Sequence, residues 1–144
     1  MIEYPHHYGV SASARVDGDV ALESARLQTM HSASPAEFGG PGDRWSPETL
    51  LVAAVADCFV LSFRAVAGAS KIGWTSLRCE VDGTLDRVER VAQFTHFTVR
   101  AHLTVPEGVD RERAERALHK AESVCLITNS LTAPCELATT IDVG

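Results

Sequence analysis

The chain has 144 residues, 45% hydrophobic and 22% charged, a balance ordinary for one globular domain. A formal charge of −6 at pH 7 and a pI near 5.4 weigh against a phosphate-backbone partner, because nucleic-acid affinity needs a concentrated basic surface and no basic block occurs. The N-terminal MIEYPHHYGV holds no basic stretch followed by an apolar core, so the expected compartment is the reducing cytoplasm, where four cysteines are not a disulfide scaffold.

Tyr8, Val10, Ala12, Ala14 and Val16 alternate with Gly9, Ser11, Ser13 and Arg15, and Asp17-Gly18 then offers the positive-φ turn of a hairpin. Its return strand is predicted over Val20 to Thr29. SASPAEFGGPGDRW packs Pro and Gly too densely for regular structure and leads to Ser46, an N-cap, with Pro47 at the first helical position. A helix is predicted from Pro47 to Ala67. Leu, Val, Ala and Phe occupy its every face, so it should be enclosed on nearly all sides, by a curved sheet and a partner subunit. The apolar run Leu50 to Ala69 approaches membrane-spanning length, but Asp57 and Arg64 lie inside it and are costly at a bilayer centre, so a core helix is expected and no membrane.

Trp74 to Leu85 and Phe94 to Val105 alternate, with Thr75, Leu77, Cys79 and Val81 on one face and Phe97, Val99, Ala101 and Leu103 on the matching face of the next strand. They predict a second hairpin turning near Asp86 to Arg90. After Asp110, Ala114, Ala117, Leu118, Ala121 and Cys125 fall on one helical face, so Cys125 faces inward at the helix end. PCELATTIDV alternates through Cys135, Leu137, Thr139, Ile141 and Val143 as a closing strand. The predicted order is ββ, α, ββ, α, β: a single α+β domain over residues 1–144.

Two cysteines stand in distinctive settings, Cys58 inside SPETLLVAAVADCFVLSFRAVA and Cys125 inside AESVCLITNSL. With Glu48 at the start of the first segment, they point to a two-cysteine redox centre that turns over through a disulfide. The competing reading is that free cysteine is usually a small buried hydrophobe, and Cys79 and Cys135, on apolar strand faces, fit it. There is no C-x-x-C, and the histidines do not cluster with cysteine at ligand spacing, so no metal or other cofactor is expected. Apolar surroundings raise a thiol pKa, so a thiolate at Cys58 is expected to need a nearby cation. Glu48 lies about 15 Å upstream along a straight helix, so it is expected to reach the other subunit's site or a folded-back loop.

EFGGPGDRWSPETLLVAAVADCF and SVCLITNSL, in this order, resemble the Gly-rich loop, helix start, helical cysteine and second-cysteine segment of the osmotically inducible protein C and organic hydroperoxide resistance family (OsmC/Ohr). The resemblance implies an OsmC-like fold, an intertwined homodimer with antiparallel sheets wrapped around long central helices. It implies a cofactor-free thiol peroxidase that reduces organic hydroperoxides to alcohols and is reset by a dithiol donor, often a lipoylated protein. By the same resemblance Cys58 matches the peroxidatic cysteine, Cys125 the resolving cysteine, and Glu48 the carboxylate that positions a guanidinium. The organic hydroperoxide resistance branch places its arginine directly before the first Asp-Gly turn, where this chain has Val16. Arg15, one position earlier, would serve only if a bulge shifts its register. The OsmC branch places its arginine in the loop before the central helix, where this chain has Glu37 near the equivalent place and Arg44 closer to the helix. Two other functions fit the same outline: a non-enzymatic dimer binding a small apolar ligand, and a hotdog-type thioesterase using Glu48 and Asp57.

Overall fold

The structure is a computed structural model describing residues 2–144. It contains two compact units, Met1–Leu50 and Leu51–Gly144. In the first, β1 (Ser11–Ser13), β2 (Val20–Glu23) and β3 (Met30–Ser32) form an antiparallel sheet in chain order. Gly18, at φ 89, makes the left-handed turn expected between β1 and β2. The return strand departs from the expected Val20 to Thr29: it breaks after Glu23. The Leu27 N–H donates to the Ser24 carbonyl at 3.1 Å, Arg26 is left-handed at φ 69, and the Ser24 hydroxyl donates to the Gly9 carbonyl at 2.8 Å. Ala25 and Leu27 still alternate with Ser24, Arg26 and Gln28, so it is this turn and not the polarity pattern that ends the strand. The chain therefore gains a third strand. β1 is also shorter than predicted, so Arg15 and Val16 lie in the connecting loop and strand alternation does not govern them.

The Gly-rich segment forms one 3-10 turn, Ala36–Phe38, closed by Gly39 at φ 84. Gly40 is obligatory, because a Cβ there would stand 1.6 Å from the Ser34 carbonyl oxygen. The loop delivers Ser46 as the cap of helix α1 (Pro47–Ser70). The Thr49 N–H donates to Ser46 Oγ at 3.1 Å and the Ser46 N–H to Thr49 Oγ1 at 2.8 Å, a reciprocal capping box with threonine in the usual glutamate place. α1 outruns its predicted end and stops at left-handed Lys71, φ 55.

In the second unit, β4 (Ser76–Val88), β5 (Val91–Val105) and β6 (Cys135–Val143) form one sheet in that order. Glu89 and Arg90, both at positive φ (49 and 71), make a two-residue turn whose twist suits the antiparallel β4–β5 hairpin. Helices α2 (Arg111–Val124) and α3 (Leu126–Asn129) then carry the chain back, so β6 pairs with β5 in parallel. This corrects the expectation of purely antiparallel sheets. The observed order is βββ-α-ββ-αα-β rather than ββ-α-ββ-α-β.

The core of this unit joins three stripes. Val55, Phe59, Phe63 and Ala67 of α1 meet Phe97, Val99, Ala101, Leu103 and Val105 of β5, with Ala114, Ala117, Leu118 and Ala121 of α2 beside them. Phe63 stands edge-on to Trp74, ring centres 5.4 Å apart. The opposite sheet face carries ion pairs such as Arg100–Asp82 at 2.7 Å. The single chain buries only one stripe of α1, and Leu61 remains 51% exposed. Gly83 sits where the helix crosses the sheet; a Cβ there would come within 2.9 Å of Val52 and Phe94 and 3.0 Å of Phe97. Gly83→Ala is expected to lower unfolding stability by about 1–3 kcal/mol through overpacking, read as a reduced urea midpoint; an unchanged midpoint would show that the crossing is slack.

Candidate active site

Cys58 is partly buried at mid-helix in α1, and Ser62, one turn on, presents its Oγ 3.8 Å from the sulfur. Cys125 occupies the junction of two helices, closing α2 and opening α3, and is 1% exposed. It faces inward as its helical spacing predicts, and its thiol is near enough to Cys58 for each to shift the other's pKa. Both are free thiols.

Their surroundings set the two sulfurs apart. Burial works to raise the Cys58 pKa, yet the Ile127 N–H, the Cys125 thiol, the Ser62 hydroxyl and the Leu126 N–H all donate to the sulfur and together hold it below its ordinary value. Burial pushes Cys125 up; the Thr128 N–H and hydroxyl oppose this, but the bond to Cys58 and that sulfur's charge raise it again. Of the two thiols, Cys58 is therefore the one that ionises more readily and Cys125 the one that holds its proton more tightly. The groups that lower the Cys58 pKa are hydrogen-bond donors within its own unit rather than a charged side chain. Of these donors, Ser62 was within reach of sequence reasoning, four residues after Cys58 on one helical face. The N–H groups of Leu126 and Ile127 leave no trace in the sequence, since every non-proline residue carries one.

Cys79 and Cys135 are the opposite case. Burial, then the nearby Cys125 and Cys135, push Cys79 up to about 11, and burial, then Glu122, push Cys135 up to about 11. Both stay protonated at neutral pH and pack against the core.

Arg15, Arg44 and Glu48 belong to the first unit. Arg15 is exposed in the β1–β2 loop and makes no ion pair among the described residues. Arg44 donates from Nε to Asp19 Oδ2 at 3.0 Å and lies 3.4 Å from the Asp43 carboxylate. Beside it, His31, Trp45 and Thr49 line an open cavity of about 310 Å³. Glu48, in the first turn of α1, keeps a buried Oε1 with no hydrogen-bond partner among the described residues. Such an orphan acceptor is costly and rare. Asp57 is exposed.

Residues 40–140 match the family model for OsmC-like proteins. This chain belongs to the OsmC-like family. The OsmC-like chain is 28% identical over 123 residues to peroxiredoxin OsmC of Escherichia coli (strain K12), covering 85% of each. It is 29% identical over 130 residues to an organic hydroperoxide resistance protein of Xanthomonas axonopodis pv. citri (strain 306), covering 88% of this chain and 83% of that one. An OsmC-like protein of unknown function from Vibrio cholerae has the same fold, with a TM-score of 0.83 at 16% identity over 95% of this chain and 99% of that one.

Because the thiolate is the nucleophile, alkylation of Cys58 by iodoacetamide is expected to speed up with pH through its pKa, with the inflection below that of an unperturbed cysteine. Ser62→Ala removes a donor to the anion, so the inflection should move up and the rate at neutral pH should fall. A profile that does not move would remove Ser62 from the site.

Proposed function

We propose that this OsmC-like protein is a thiol-dependent peroxidase that reduces organic hydroperoxides to alcohols, the activity class in the names of its relatives. The observation that carries the reading is the split between two neighbouring sulfurs, the Cys58 pKa lowered and the Cys125 pKa raised. Cys58 thiolate attacks the terminal peroxide oxygen; an S–O bond forms, the O–O bond breaks, and the alkoxide takes a proton to leave as alcohol. Cys125 then attacks the sulfenic sulfur, water departs, and a Cys58–Cys125 disulfide results. A dithiol donor in a reducing cytoplasm, a lipoylated protein being one such carrier, returns both thiols by exchange and is itself oxidised.

A guanidinium beside Cys58 assists the departing oxygen, and Glu48, with its orphan buried oxygen, orients it. Arg15, which forms no ion pair among the described residues, is the first candidate for this role, ahead of Arg44, which Asp19 and Asp43 engage. The rival reading, a dimer that binds a small apolar ligand without turnover, draws on Val16 at the position of the family arginine.

Equimolar cumene hydroperoxide followed by disulfide mapping separates the two. Peroxide consumption with a Cys58–Cys125 link is expected, whereas Cys58→Ser should consume none and Cys125→Ser should stop at a trappable sulfenic acid. Peroxide left intact by the wild type would overturn the peroxidase reading. Arg15→Ala should slow the reaction more than Arg44→Ala; the reverse order would exchange their roles.

The protein works as a homodimer in this proposal, because α1 leaves Leu61 and its neighbours uncovered in one chain. Sedimentation should show a dimer that Leu61→Asp weakens, and a wild-type monomer at micromolar concentration would refute it.

A further inference from the structure

The second unit contains a cavity unconnected with any thiol. Val66 and Ser70 near the end of α1, Ile72 just beyond it, and Arg113, Arg116, Ala117 and Lys120 of α2 line an open cavity of about 220 Å³. Ile72 and Ala117 are buried, at 8% and 4% exposure, and with partly buried Val66 they give the cavity an apolar floor. Its rim is cationic. Arg113, Arg116 and Lys120 share an arc of about 60° on α2, whereas Glu115 and Glu122 lie on the far side of the helix.

No carboxylate lines the cavity, and none of the three cations forms an ion pair among the described residues. This stands out in a chain of net charge −6 whose other arginines include several held by acids. Arg113 donates from Nη2 to the Ser70 carbonyl at 2.7 Å, which fixes the wall of the cavity and leaves Arg116 and Lys120 unengaged. The volume lies below the roughly 300–1,000 Å³ of pockets for drug-sized ligands, so a smaller molecule fits.

We propose that this cavity binds a small anionic amphiphile, a carboxylate or phosphate monoester with a short apolar tail. The head group lies between Arg116 and Lys120, and the tail covers Val66, Ile72 and Ala117. Charge-assisted hydrogen bonds supply the anion recognition and the apolar floor selects against a bare ion.

Calorimetric titration of the intact protein with hexanoate, hexyl phosphate, inorganic phosphate and hexanol tests both halves. Hexanoate or hexyl phosphate should bind at least about tenfold more tightly than inorganic phosphate and than hexanol, and the tighter of the two identifies the head group. Binding should weaken with salt, vanish in R116E/K120E and persist in R116K/K120R; circular dichroism checks folding, and R116Q/K120Q replaces the reversal if it does not fold. Equal binding of hexanol, no binding of either amphiphile, or unchanged affinity in the charge-reversed variant overturns the proposal. Because the readout is binding, it is independent of whether Cys58 reduces peroxides.

Discussion

Every element of the second unit answers to one demand, that α1 bury the stripe Val55, Phe59, Phe63 and Ala67. The inward residues of β5 meet that stripe, and Gly83 leaves the gap through which Val52 passes. α2 contributes mostly alanines to the same core, and small side chains let a helix approach closely. Cys125 is the next inward position after Ala121 on the same face. The packing that stabilises the unit thus also sets the approach of one sulfur to the other.

That approach explains why two chemically identical groups behave differently. A buried thiolate is unfavourable unless donors replace the water it has lost. Cys58 obtains them from the first turn of α3 and from Ser62, whereas Cys125, ending α2, gives up its own donor to Cys58. The C-terminal end of α2 adds to the difference, since a helix C-terminus disfavours an anion. The four-residue α3 therefore both packs Ile127 against the core and helps set the Cys58 pKa.

Much of this was legible before any coordinates. Alternation gave the inward faces of β4 and β5 because period-two patterning survives wherever one face is buried, and the reading of Ala114, Ala117, Leu118, Ala121 and Cys125 held because α2 has a single apolar face. Ser46 and Pro47 marked the start of α1 because capping is local chemistry. The break after Glu23 was not legible, since a turn built on the Ser24 carbonyl and left-handed Arg26 uses no turn-specific residue. Nor was the parallel register of β6, because alternation is the same in either direction. For the site, Cys58 and Cys125 stood out by their settings, while Arg15, Arg44 and Glu48 came from motif resemblance; the main-chain donors to Cys58 belong to tertiary structure alone.

The parallel pairing of β5 with β6 has a consequence for when the chain becomes competent. β6 reaches its partner only after residues 106–134 have looped back, and such long-range closure comes late because its entropy must be met first. Cys58 is made early, yet both its proton-holding neighbour and its N–H donors lie in that returning segment. The lowering of the Cys58 pKa therefore depends on that returning segment being in place.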